Sequence, residues 1–65
     1  MRKFKIRLER DSEGDWWAQA EEALGLFICG ESREEVMENA KVSLSMEMNI
    51  EEEEVELEVI ETKLL

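Results

Sequence analysis

Residues 2 to 10 alternate strictly, with Phe4, Ile6 and Leu8 on one side of an extended chain and Lys3, Lys5 and Arg7 on the other. A period of two is the side-chain period of a strand, so this segment predicts a first strand with one buried face. The polar cluster Asp11, Ser12, Glu13, Gly14 and Asp15 follows, and its glycine can take positive φ, which predicts a hairpin turn. Trp16 to Glu21 then runs back as the second strand. After a connection at Glu22 to Leu24, Gly25 opens a short apolar run, Leu26, Phe27, Ile28 and Cys29, closed by Gly30, which reads as a third strand.

From Ser32 the period changes. Ser32 with Glu35 makes an S-x-x-E capping box, in which the hydroxyl satisfies a free helical N–H and Glu35 reaches back, so a helix starts there. Val36, Met37, Ala40, Leu44 and Met48 form one apolar stripe. Val42 and Met46 fall on the opposite side and Glu47 falls within the stripe, so either the last turn frays or something covers the outer face. After a polar connection at Asn49 to Glu54, Val55, Leu57 and Val59 alternate with Glu54, Glu56 and Glu58 as a last strand. The layout is β-β-β-α-β, an α+β class, and residues 1–65 form one domain with no repeat or linker.

Charge suggests strand order. Lys3, Lys5 and Arg7 line the outward face of the first strand, and Glu54, Glu56 and Glu58 line that of the last. Each opposed pair contributes roughly 0.2–1 kcal/mol, whereas separated rows would leave two same-sign ladders. The last strand therefore belongs beside the first, giving the order 3-2-1-4 in a mostly antiparallel sheet. A right-handed crossover then places the helix on the Phe4, Ile6 and Leu8 face. The other face would expose Trp17, Phe27, Cys29 and Ile60, apolar surface that predicts self-association or partner binding.

Size and composition sharpen this. The chain has 65 residues, 43% of them apolar, which suits a folded domain. A core this small rarely supplies more than about 3–5 kcal/mol unaided, so a homo-oligomer, a dimer or higher, is expected. Eight Lys and Arg against 18 Asp and Glu give a net charge of −10, which argues against nucleic acid as a direct ligand and favours basic partners. Cys29 is the sole cysteine, so no intrachain disulfide forms and a reducing compartment fits. No stretch approaches the roughly 20 apolar residues of a membrane span, and Met1 to Arg10 lacks the apolar segment of a signal peptide. A cytoplasmic, membrane-free protein is expected.

From Asp15 to Ala40, DWWAQAEEALGLFICGESREEVMENA, the chain resembles the HicB family of toxin–antitoxin antitoxins. The likeness rests on spaced signals: Trp16, Trp17 and Ala18; Glu22; Gly25 with Leu26; the Gly30, Glu31, Ser32 corner; and Glu34, Glu35, Asn39 and Ala40 in the helix. It extends over nearly the whole chain and implies a partial RNase H-like fold. The pattern departs from the family at Glu21 and Leu24, where prolines are frequent, and no C-terminal DNA-binding unit follows the last strand, so operator binding is not expected. The resemblance implies a protein that occupies HicA, a small basic ribonuclease, and keeps its catalytic histidine from RNA. Surface carboxylates would then stand where RNA phosphates sit. Glu21, Glu22, Glu31 and Glu51 to Glu54 are candidates, because they lie in loops or at element ends.

Catalysis is not expected. A metal nuclease of RNase H type needs a carboxylate in the middle of the first strand, and Lys5, Ile6 and Arg7 occupy it. Asp11, Glu13, Asp15 and Glu22 copy the spacing of a calcium loop, but Trp16 stands where that loop needs glycine. Histidine is absent and Cys29 has apolar neighbours, which suits packing rather than reactivity. No cofactor or metal is expected. Adjacent strand residues face opposite ways, so one of Trp16 and Trp17 packs under the helix and the other, Trp17, serves as an interface anchor. The expected function is an antitoxin-like binding domain that sequesters a basic HicA-like toxin. A stand-alone oligomer without a toxin is the alternative, and a divergent nuclease stands third. Trp17, Phe27, Glu21, Glu22, Glu31, Val42 and Met46 are the expected contact residues for a partner or a second copy.

Overall fold

The computed structural model describes residues 2–23 and 25–61. The alternating segment forms β1 (Arg2–Arg10), and the returning tryptophan segment forms β2 (Trp16–Ala20). They pair antiparallel with Leu8 opposite Ala18 and Ile6 opposite Ala20. Gly14, at φ 90°, makes the turn between them. Glu21 lies just past the strand, yet its N–H still donates to the Lys5 carbonyl at 3.0 Å, so the ladder runs one residue further than the strand.

Next comes β3 (Phe27–Gly30), antiparallel to β2 with Trp17 opposite Cys29 and Ala18 opposite Ile28. Leu26, expected at the head of this strand, precedes it and packs half-buried against the core. The expected shape of the loop at 21–24 falls partly on Leu24, outside the described residues.

The helix α1 (Arg33–Met48) begins where the sequence predicts, and the Ser32 half of the expected capping box is in place, its hydroxyl accepting the Glu35 N–H at 3.1 Å. Its last turn does not fray. Asn49 takes the left-handed conformation at φ 57°, its N–H donating to the Met46 carbonyl, and the Ile50 N–H donates to the Ser45 carbonyl at 3.0 Å. Two otherwise unmatched carbonyls are thereby satisfied, which fixes the helix end. Gly30 lets this helix sit close to the sheet, since a Cβ there would lie 3.0 Å from Val36 Cγ2 and 3.2 Å from Glu35 Cγ. A side chain at 30 would push the first turn away.

A 3-10 turn at Glu52–Glu54 leads into β4 (Val55–Glu61), which lies parallel to β1 and gives the order β3-β2-β1-β4. Lys3 stands opposite Glu56 and Lys5 opposite Glu58, as charge pairing requires. The third pair differs: Arg7 stands opposite Ile60, Glu54 belongs to the preceding turn, and Arg7 turns instead to Glu21, Nη2 to Oε1 at 3.7 Å.

One face of this mixed, mostly antiparallel sheet carries the core. Phe4, Ile6 and Leu8, Ala18 and Ala20, Ile28 and Val55 pack against Val36, Ala40 and Leu44 of the helix. Trp16, Met37, Met48, Leu57 and Val59 border that cluster half-buried. No helix among the described residues is long and apolar enough to cross a membrane.

Candidate protein-interaction surface

Because side chains alternate along a strand, the register that buries Ala18 and Ile28 must turn Trp17, Phe27 and Cys29 to the other face. No helix lies over that face among the described residues. Trp17 is 43% exposed and Phe27 63%, with Cys29 exposed and Ile60 exposed near the far edge. Trp16 faces the helix, half-buried, under the Arg10 guanidinium at 5.6 Å from the ring centre. The two rings face opposite ways, as the alternation predicts.

Trp17 is held in place. Its indole Nε1–H donates to Asp11 Oδ2 at 2.9 Å, while Asp11 Oδ1 accepts the backbone N–H groups of Glu13 and Asp15, each at 2.9 Å. One carboxylate thus closes the hairpin turn and fixes the ring beside it. The residues around them, Arg7, Glu9, Arg10, Gln19 and Phe27, complete a shallow groove of about 330 Å³. Asp11 was not among the expected contact residues. Its signal is an Asp heading a polar turn, the usual seat of an Asx turn.

The indole N–H, and after it the N–H groups of Asp15 and Glu13, hold the Asp11 carboxyl below its ordinary value. A depressed folded-state value means that this carboxylate stabilises the folded chain above its unfolded pKa and loses that contribution as pH falls through the folded value. Acidification should therefore loosen the hairpin turn. Trp17 indole N–H exchange, followed by NMR on lowering pH, should accelerate only below the ordinary carboxylate range, and D11A should exchange rapidly at neutral pH. Slow exchange in D11A would contradict this account of the ring.

The other expected contact residues lie elsewhere. Glu21 pairs with Arg7 on the open face, and Glu22 Oε2 accepts the Lys5 N–H at 3.3 Å, continuing the ladder with a side chain. Glu31 is exposed at the corner before the helix. Val42 (42% exposed) and Met46 (77%) lie on the solvent side of the helix, across the molecule from Trp17 and Phe27. The contact residues expected from sequence thus fall into two sets on opposite faces.

Charge divides the same way. Five of the eight cations, Arg2, Lys3, Lys5, Arg7 and Arg10, sit on β1. Residues 31–54, which form the helix and its flanks, carry nine carboxylates against Arg33 and Lys41. The sheet side, with its cations gathered on β1 and apolar patches on its open face, is less negative than the helix side, which is strongly anionic. Among the described residues, no three His, Cys, Asp or Glu side chains gather to hold a metal ion.

The chain matches no family model, and neither a curated protein nor a solved structure shows significant similarity to it.

Proposed function

We propose that this chain is a cytoplasmic antitoxin-like binding domain that self-associates and sequesters a small basic protein, a HicA-like ribonuclease. The observation that carries the reading is the anionic helix side, nine exposed carboxylates with Val42 and Met46 between them. Anionic groups around an apolar centre suit a protein surface evolved to hold RNA phosphates, because each carboxylate can take a Lys or Arg in a charge-assisted hydrogen bond. The HicB-like signals along residues 15–40 point the same way. Sequestration by this route is non-catalytic: the partner's basic surface is covered and RNA is kept out.

A second reading keeps the self-association and drops the toxin. The Trp17 and Phe27 patch favours it, since that face suits a second copy whether or not a toxin exists.

Co-expression separates the two. The partner to test is a small basic, histidine-containing protein encoded beside this one. The antitoxin reading expects that protein alone to arrest growth, and expects this chain to relieve the arrest and copurify with it. A harmless neighbour, or one equally toxic with this chain present, overturns the reading.

A further inference from the structure

We infer that the free edge of β4 is a docking site for an extended basic segment of a partner protein, added to the sheet as a fifth strand. The two edges of the sheet are not alike. β3 has four residues, and the Cys29 carbonyl already accepts the Asn39 side-chain amide at 3.2 Å. β4 has seven, and no strand pairs with its outer side among the described residues. An unpaired edge of that length offers a row of backbone donors and acceptors, the template that strand addition uses.

The side chains specify the occupant. Glu56 and Glu58 stand exposed on the open face, already opposite Lys3 and Lys5 on one flank and free to meet cations on the other. Between the helix and this edge, Met37, Val55 and Leu57, with Glu38, Lys41 and Glu56, line a groove of about 420 Å³. A strand that alternates Lys or Arg with apolar residues places its cations beside the glutamates and its apolar side chains over the groove. A second copy suits this edge less well than a basic strand. In the antiparallel registers that overlap two β4 strands most fully with their core faces continuous, Glu58 falls opposite Glu56 or Glu58 of the other copy, and like charges directly opposed are destabilising.

This inference rests on the binding role proposed above and adds to the anionic helix side a second contact, the β4 edge, with its own recognition mode. The test uses a ten-residue peptide alternating Lys with Val and Thr, and the same peptide N-methylated at alternate backbone amides. Chemical shifts of the whole chain should move along β4 and α1, β4 amides should gain exchange protection, and N-methylation should abolish binding. E56Q/E58Q should weaken binding at least tenfold. Equal binding of the N-methylated peptide, or shifts confined to β3 or the Trp17 face, would overturn the inference. If E56Q/E58Q still relieves growth arrest as well as the native chain, the edge is not the toxin site and the antitoxin reading stands. If the neighbour proves harmless, the peptide result is unaffected.

Discussion

Leu44→Ala should leave a large fraction of the chain unfolded at room temperature. Leu44 is fully buried between the helix and the sheet, among Phe4, Ile6 and Val36. Truncating such a leucine costs about 2–5 kcal/mol, because the removed methyl groups lose their contacts and a cavity remains. A domain of this length holds only some 3–5 kcal/mol in total, so one such loss is comparable with the whole margin. Val42→Ala, two residues earlier on the solvent side, should cost under about 0.5 kcal/mol. Urea unfolding followed by circular dichroism compares the two. Similar midpoints for both variants would mean that the helix does not pack on the sheet through Leu44.

Trp17→Lys should produce a folded monomer. The side chain lies on the open face, so its loss removes no core contact, and a lysine ammonium can still meet the Asp11 carboxylate that the indole now occupies. The hairpin turn keeps its partner. What disappears is a rigid aromatic anchor, already oriented before binding, so little rotamer entropy is lost when it docks. Anchors of this kind cost about 2 kcal/mol or more when removed, roughly thirtyfold in a dissociation constant. Size-exclusion elution should shift to the monomer while the helical signal is kept. Unchanged elution of a dimer would remove Trp17 from the interface.

Much of this architecture was legible in the chain because its local signals agree with one another. The alternation at 2–10, the Ser32 cap and the Glu56 and Glu58 row each fixed an element or its neighbour, and the structure places them accordingly. Period-two patterning also told which of two adjacent tryptophans would face out, since the alternative would bury Gln19 and expose Ala18 and Ala20. The misses have a common physical origin. Register at the end of β4 depends on where the 3-10 turn releases the chain, so Arg7 faces Ile60 and finds Glu21 across the other flank. The helix end looked weak because Glu47 interrupts the apolar stripe, but an asparagine in the left-handed conformation supplies the stop that composition does not show. Asp11 as the support of Trp17 is a contact across six residues of a turn, invisible to periodicity. The split of the expected contact residues onto two faces follows from the sheet having a single covered side, a property of the assembled layers rather than of any segment.

A sheet covered on one side, with Trp17 and Phe27 exposed on the other, calls for a second polypeptide to complete it. Sedimentation equilibrium of the unmodified chain from micromolar to millimolar concentration tests this most directly. Mass should rise with concentration to at least a dimer. A constant monomer mass across that range would contradict it.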